Sequence, residues 1–203
     1  MWSLVHSQLL KGRTALLNFD KDLAREVILK EKRVNGSELK IDRDCENMFA
    51  LYSPVAIDLR FLLAVLKINS NLERIGDIAE GIAKYVLSAD KGFTLELLKA
   101  TKVQEMYNEA MIMLEDTQQA FENEDTVLAR GVFKKDDFLD DINRSANELI
   151  IGYLQEYPGD IDASLYALSI IRKLERVGDQ SKNIAEEIIF YLEAKVLKHS
   201  NKG

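Results

Sequence analysis

The sequence contains two copies of one acidic motif, LERIGD at 72–77 and LERVGD at 174–179. In each copy a glutamate and an aspartate are four residues apart, so on a helix both carboxylates project from one face, one turn apart. Like charges at this spacing destabilise an isolated helix by ~0.2–0.5 kcal/mol, which favours a neutralising cation beside them. The glycine within each copy lowers helix propensity by ~1 kcal/mol but permits a neighbouring helix to approach closely.

The helix before the first motif is predicted to place two more polar side chains opposite it. If two helices run antiparallel about a proline turn, residues equally far from that turn lie at equal height, because each residue rises about 1.5 Å. Glu73 and Asp77 lie 19 and 23 positions after Pro54. Asn35 and Glu31 lie 19 and 23 positions before it.

The same count around the second proline finds a second set of partners. Glu175 and Asp179 lie 17 and 21 positions after Pro158, and Asp140 and Asp136 lie 18 and 22 positions before it. The sequence therefore predicts two metal-binding constellations: Glu31, Asn35, Glu73 and Asp77 in the first, and Asp136, Asp140, Glu175 and Asp179 in the second.

Oxygen donors dominate both constellations. Carboxylates suit Mg²⁺, Mn²⁺, Ca²⁺ or iron, whereas structural zinc prefers Cys and His ligands. The only histidines, His6 and His199, lie near the chain ends. Because Asn35 in the first constellation corresponds to Asp140 in the second, we expect the C-terminal site to hold metal more tightly.

Neighbouring acids extend the hypothesis: Glu38 and Asp42 in the first unit, and Asp137 and Asp141 in the second, are candidates for binding several ions. The alternative is a solvated charged helix face, with Glu73 forming an ion pair with Arg74 or Arg60. A single Glu-x-x-x-Asp motif favours that alternative. Two copies with matching partners favour metal.

The elements that must position these residues form an internal duplication. The stretch ALLNFDKDLAREVI at 15–28 aligns without gaps on AFENEDTVLARGVF at 120–133. The two prolines are also equivalent, and each breaks a long segment without other strong helix breakers. This pattern predicts an all-α fold of two tandem three-helix bundles, at 1–90 and 94–198, related by internal duplication.

Apolar residues at 3.6-residue spacing predict the individual helices. In the first unit we place helices at 2–17, 21–52 and 55–89, with Asp20 and Ser53 near the helix starts. In the second unit the predicted helices are 94–122, 126–156 and 160–197. The first of these is longer than its counterpart, which predicts that an N-terminal segment is missing from this chain.

Composition limits the function classes. The 203 residues are 47% apolar and 30% charged, which is typical of a globular protein. A net charge of −7 argues against a nucleic-acid surface, which must neutralise phosphates. Because Cys45 is the only cysteine, no internal disulfide forms, and the cytoplasm fits. The longest apolar runs are too short to span a bilayer and the start is unlike a signal peptide, so any membrane association is expected to be peripheral.

Several segments together resemble the PhoU family of bacterial phosphate-signalling proteins. They are SPVAIDLRFLLAVLKI at 53–68, INSNLERIGDIAEGIAKY at 68–85 and IIRKLERVGDQSKNIAEEI at 170–188. The resemblance covers almost the whole chain, and the proline, the doubled motif and the upstream acids occur in order. It departs from the family at Asn35, where an Asp is common, and at Gly81, which stands where the second unit has Asn183.

The resemblance implies a cytoplasmic negative regulator of the phosphate-starvation response, involved in phosphate transport and homeostasis. Such proteins connect a phosphate ABC transporter to a sensor histidine kinase, and some bind iron, zinc or other cations through the doubled motif. It therefore implies that metal cations (iron, zinc, manganese or magnesium) are held by the eight residues of the two constellations. A homodimer is a reasonable expectation for exposed bundle faces.

Two alternatives stay open at this stage. One is a regulatory module of another phosphate transporter, such as a sodium–phosphate cotransporter, with purely structural acids. The other is a carboxylate-bridged metal oxidase, although such sites usually include Glu-x-x-His, which is absent from this sequence. Neither a phosphate loop ending in Lys-Ser/Thr nor a Gly-x-Ser-x-Gly motif occurs, so we predict that the protein is not an enzyme.

Overall fold

A computed structural model describes residues 1–197, and the described chain is helical apart from short connections. Its helices, in chain order, are α1 (Trp2–Asn18), α2 (Lys21–Tyr52), α3 (Ala56–Ser88), α4 (Leu95–Ala100), α5 (Val103–Glu122), α6 (Thr126–Glu156) and α7 (Ile161–Glu193). The predicted all-α fold is confirmed. Residue 198, the last of the predicted second unit, and His199 lie outside the described residues.

The second unit begins differently from the prediction. The single helix predicted at 94–122 is wrong, because Lys102 takes a left-handed conformation (φ 56°) that separates α4 from α5. No glycine or proline stands at the break, so the sequence does not signal it. The last predicted helix, 160–197, is shorter than expected, because α7 ends at Glu193 and Ala194 is again left-handed (φ 55°).

An aspartate caps the N-terminus of the second helix in both units, which confirms the prediction for Asp20. The Asp20 carboxylate accepts a hydrogen bond from the Leu23 amide at 2.9 Å. Its counterpart Asp125 accepts from the amides of Val127 and Leu128 at the start of α6. These bonds satisfy amides that lack a partner within the helix. The expectation for Ser53 is wrong, because this residue ends α2 in a left-handed conformation (φ 45°) and does not begin α3.

The two units pack along their third helices, α3 and α7, which run antiparallel. Near one end of the contact the Phe61 and Tyr191 rings lie 5.5 Å apart between centroids, and near the other the Tyr85 and Tyr166 rings lie 5.7 Å apart. Trp2 of α1 similarly packs on α5. The buried apolar side chains therefore form one core that is continuous across both units.

The motif glycines mark the closest approach of the second helix to the third within each unit. A Cβ added at Gly76 would lie 3.1–3.2 Å from Gln8 Oε1, Glu31 Oε2 and Val34 Cγ1. A Cβ added at Gly178 would meet the residues that correspond to these three in the repeat, at distances of 2.6 to 3.6 Å: Met113, Asp136 and Leu139. The predicted role of these glycines in close helix approach agrees with this geometry.

We expect Gly178→Ala to destabilise the protein by about 1–3 kcal/mol, because the new methyl group would lie 2.6 Å from Cδ1 of the buried Leu139. The matched control is Gly131→Ala in α6, where no atom lies within 4 Å of the new Cβ. That variant should gain about 0.5–1 kcal/mol from helix propensity. Urea unfolding measures both changes, and a Gly178→Ala protein as stable as the wild type would contradict the close approach.

Candidate metal sites

Glu31 is the most buried acid of the first unit, with 6% of its surface exposed. Its Oε2 accepts a hydrogen bond from Gln8 Nε2 at 2.7 Å, whereas its Oε1 is buried without a hydrogen-bond partner among the described residues. Burial raises the pKa of Glu31, and the charges of Asp77 and Glu80 raise it further. Glu31 Oε1 therefore has an unused lone pair that could bind a metal ion.

Glu73 has a strongly shifted pKa. Burial, together with the charges of Asp77, Glu38 and Glu31, raises the pKa of Glu73 to about 7. The alternative of a solvated helix face predicted an ion pair of Glu73 with Arg74 or Arg60. No such ion pair is seen among residues 1–197. These four carboxyl groups, Glu31, Glu38, Glu73 and Asp77, lie near one another and are called the N-terminal cluster.

The α2 residues contribute to this cluster differently from the prediction. Asn35 is exposed. Glu38, proposed only as an extension, raises the pKa of Glu73 through its charge, and burial, Asp42 and Asp77 raise its own pKa. Asp42 accepts a hydrogen bond at Oδ1 from Nδ2 of the buried Asn69, at 2.9 Å. Glu38 therefore brings negative charge to the cluster from this part of α2, which the neutral Asn35 does not.

Asp136 of α6 is the counterpart of Glu31 and has only 1% of its surface exposed. Its Oδ2 accepts a hydrogen bond from Lys182 Nζ at 2.6 Å, and its Oδ1 is buried without a partner among the described residues. Burial raises the pKa of Asp136, while the bond to Lys182 opposes that rise. The second unit thus carries its own cation beside the buried acid.

The other acids predicted for the second unit also lie close together. Burial raises the pKa of Glu175, and the charges of Asp179, Asp140 and Asp136 raise it further. Burial and Asp140 likewise raise the pKa of Asp179. We call these four residues the C-terminal cluster.

Lys182 was not identified from the sequence as part of the site. Its counterpart in the first unit is Glu80, which forms an ion pair with Lys84 at 2.5 Å. The repeats therefore differ in charge at this position. An alignment of the two motifs places Lys182 opposite Glu80, and this reversal of charge is a signal that sequence reasoning missed.

The proposed extension of the C-terminal cluster lies at the surface. Asp137 is exposed, and Asp141 is exposed with an ion pair to Arg144 at 2.6 Å. Neither acid contributes to the raised pKa of Asp136, Glu175 or Asp179. The acids near the C-terminal metal candidate are therefore limited to the four that were predicted first.

Both clusters fit a hard or intermediate cation by donor type, because their ligands are carboxylates and each contains a buried oxygen without a partner. No three His, Cys, Asp or Glu side chains in residues 1–197 are already arranged around a common metal position. Carboxylate side chains must therefore rotate toward one another to bind an ion. Mutual repulsion opposes that arrangement until a cation is present.

Comparison with known proteins agrees with this duplicated arrangement. The family model of the PhoU domain matches residues 1–86 and again 103–188. The chain belongs to the PhoU family. Both matches contain the second and third helices that carry a cluster.

Relatives align over nearly the whole chain. The phosphate-specific transport system accessory protein PhoU of Edwardsiella tarda is 33% identical over 98% of this chain and 81% of its own length. The protein of that name from Escherichia coli strain K12 is 32% identical over 98% of this chain and 82% of its own. Homolog 1 from Thermotoga maritima is 29% identical over all of this chain and 87% of its own.

Solved structures share the fold. PhoU from Pseudomonas aeruginosa has a TM-score of 0.86 at 29% identity, over 96% of this chain and 93% of that one. The phosphate transport system regulatory protein PhoU from Streptococcus pneumoniae has the same TM-score and identity, over 97% and 91%. Among residues 1–197 of this chain, no helix is long and apolar enough to cross a membrane.

We predict that the metal-free protein loses stability as the pH rises from about 5 to about 8. The pKa of Glu73 is about 7 in the folded state, whereas a glutamate ordinarily has a pKa of 4.5, so the folded state binds more protons between these values. Stability conferred by the protonated carboxyl is therefore lost as the pH rises through about 7. Urea midpoints measured across this range, with a chelator present, test the sign of this change in stability.

Glu73→Gln should make this pH dependence weaker, because the amide does not titrate. Asp137→Asn is the matched control, since Asp137 is an exposed acid on the helix surface, and it should retain the wild-type slope. A wild-type stability that rises over this pH range, or equal slopes in wild type and Glu73→Gln, would contradict the assigned environment of Glu73.

Proposed function

We propose that this protein is a negative regulator of the phosphate-starvation response that acts without catalysis, as a cytoplasmic adaptor between a phosphate ABC transporter and a sensor histidine kinase. Membership of the PhoU family supports this proposal, because its relatives are named accessory or regulatory proteins of phosphate transport. The cation-binding part of the proposal rests on two buried carboxylates, Glu31 and Asp136. Each has one buried oxygen without a hydrogen-bond partner among the described residues. An adaptor with two such sites can respond to a bound cation.

A cation stabilises these clusters for an electrostatic reason. Removing a carboxylate from water without full compensation is costly, and like charges nearby increase that cost. A divalent cation neutralises several carboxylates at once and supplies the partner that the buried oxygens lack. We therefore propose that manganese, iron, magnesium or zinc is bound through Glu31, Glu38, Glu73 and Asp77, and through Asp136, Asp140, Glu175 and Asp179.

The N-terminal cluster is proposed as the tighter site, the reverse of the order expected from the sequence. That expectation compared Asn35 with Asp140 and did not include Lys182. The Lys182 ammonium lies 2.6 Å from Asp136 Oδ2, so it partly neutralises the C-terminal cluster and repels an incoming cation. In the N-terminal cluster the equivalent Glu80 adds negative charge.

Exposed apolar side chains at the turn between α2 and α3 support a role in binding proteins. Leu51, Tyr52 and Val55 are 74%, 75% and 70% exposed, and further exposed apolar side chains follow along the first turns of α3. A concentrated apolar surface of this kind is typical of interaction sites. It is available for a transporter, a kinase or a second copy of the chain.

Cation binding is tested by titrating the metal-free full chain with Mn²⁺ in a calorimeter. Glu73→Gln should remove the tighter binding phase, while Glu175→Gln should remove the weaker one. Elemental analysis of protein purified without a His tag should show less metal in a Glu73→Ala, Glu175→Ala double variant than in the wild type. Equal metal content in the two proteins would contradict the assigned ligands.

Lys182→Gln provides the complementary test, because it should tighten the weaker phase about tenfold, or about 1.4 kcal/mol. Lys135→Gln is the matched control. Lys135 precedes Asp136 on α6 and also forms a short ion pair, 2.7 Å long, but its partner is Asp116. Equal effects of the two substitutions would show that overall charge, and not the bond to Asp136, sets the affinity.

The regulatory proposal is tested by deleting the gene in its host. Alkaline phosphatase should then be produced in phosphate-rich medium, because the repressing adaptor is absent. The wild-type gene should restore repression. If the deletion strain keeps alkaline phosphatase repressed in rich medium, the proposed function is refuted, whatever the protein's metal affinity.

A further inference from the structure

A polar groove lies where α3 and α7 pack together, on one side of their contact, with a volume of about 430 Å³. It is open to solvent and contains the aromatic ring of Tyr85 at one end. Its charged lining side chains are Arg74, Asp77, Glu80, Lys84, Lys173 and Arg176. The groove is therefore bordered by four cations and two carboxylates.

The positive charges in this groove are not balanced by its acids. Glu80 forms an ion pair with Lys84 at 2.5 Å. The other three cations, Arg74, Lys173 and Arg176, form no ion pair or hydrogen bond with the residues that the structure describes. Three such groups around one groove are unusual in a chain with a net charge of −7. An anion would satisfy them.

Lys173 has a defined position in the groove, since its side chain crosses α3 directly above Gly81. A Cβ added at Gly81 would overlap Lys173 Nζ and lie 2.8 Å from its Cε. The ammonium group lies 5.7 Å from the centroid of the Tyr85 ring. Burial lowers the pKa of Lys173, and the nearby positive charges of Arg176 and Lys84 lower it further. A glycine at position 81 thus allows a lysine to reach a site that is already positive.

The internal duplication supplies a comparison, because the other end of the α3–α7 contact contains the equivalent positions. There Asn183 replaces Gly81 and Asn71 replaces Lys173. Glu186 and Glu187 replace Lys84 and Tyr85, and Glu187 forms an ion pair with Lys67 at 3.0 Å. Arg74 and Arg176 are each other's equivalents, and Lys182 replaces Glu80. The charge that distinguishes the groove therefore comes from Lys84 and Lys173, which the repeat does not share, so shared packing requirements do not explain these two cations.

We propose that this groove binds a small phosphate-bearing anion through Arg74, Lys173 and Arg176. Guanidinium groups present paired N–H donors that match phosphate oxygens, and a lysine ammonium adds a charge-assisted hydrogen bond. The acidic clusters repel such an anion, whereas this groove attracts it without a metal. The positive side chains of the groove can therefore bind an anion without a cation in either acidic cluster.

Asp77 nevertheless joins the two kinds of site, because it lines the groove and also belongs to the N-terminal cluster. If the proposed function is correct and a cation binds that cluster, the cation offsets the charge of Asp77. Anion affinity then rises, and by reciprocity the anion strengthens cation binding. This coupling rests on the proposed function, whereas the groove itself does not.

The test is calorimetric titration of the metal-free full chain, in a chelator, with inorganic phosphate, pyrophosphate and sulfate in turn. We expect one phosphate or pyrophosphate per chain. Sulfate should bind more weakly, because it has no proton to donate to the carboxylates of Asp77 and Glu80 in the groove. Lys173→Met should weaken phosphate binding at least about tenfold, equivalent to about 1.4 kcal/mol. Gly81→Asn, which introduces the residue of the second unit, should also weaken binding because it displaces Lys173.

Arg172→Met is the matched control, because it removes a positive charge from the adjacent position of α7 where the side chain is exposed and outside the groove. It should leave phosphate affinity within about twofold of the wild type. Circular dichroism and the thermal midpoint establish that each variant is folded.

Three results would overturn the proposal: no phosphate binding, equal losses in Lys173→Met and Arg172→Met, or sulfate binding as tight as phosphate. Binding seen only after Mn²⁺ is added would show that a metal holds the anion, which refutes the groove and supports the cation sites. Phosphate binding that persists in a Glu73→Ala, Glu175→Ala variant without metal would support the groove even if the cation proposal fails.

Discussion

The contact between a motif glycine and a buried carboxylate of the preceding helix positions both candidate metal sites. At Gly76 the neighbouring helix brings Glu31 within 3.2 Å of where a Cβ would lie, and at Gly178 it brings Asp136 within 3.1 Å. A side chain larger than hydrogen would separate these helices. The acids would then be more hydrated, and their charges would need no compensating cation.

The two units provide different hydrogen-bond donors to their buried acid. In the first unit an amide, Gln8, donates to Glu31, and in the second an ammonium, Lys182, donates to Asp136. Met113 takes the place of Gln8 beside Gly178, so the second unit has no amide there and uses a charged donor from α7. One duplicated scaffold thus carries one cluster whose buried acid is bonded to a neutral amide and one whose buried acid is bonded to a cation.

Much of this arrangement follows from local sequence. The proline turns and helical spacing predict the height at which Glu31 and Asp136 meet the motifs. Height does not determine the direction in which a side chain points around its helix, however. Asn35 therefore lies at the predicted height but is exposed, whereas Glu38, seven residues after Glu31, is directed toward the cluster.

Long-range packing accounts for what the sequence does not show. Periodicity predicts the apolar faces of α3 and α7 but does not predict that these helices pack together, and so it does not predict the groove around Lys173. The left-handed Lys102 that separates α4 from α5 has no glycine or proline to announce it. The sequence shows that residue 182 is a lysine, but not that it bonds to Asp136, because that bond depends on the packing of α6 against α7.

Cation binding by the buried acids is tested most directly by a crystal structure of the full chain soaked in Mn²⁺, with anomalous scattering used to locate the metal. We expect an anomalous peak within bonding distance of carboxylate oxygens of Glu31 and Glu73, with the Gly76 contact between α2 and α3 preserved. A peak of equal or greater height beside Asp136 would contradict the proposed order of the sites. The absence of any peak at either cluster, at saturating Mn²⁺, would show that the buried acids do not form cation sites.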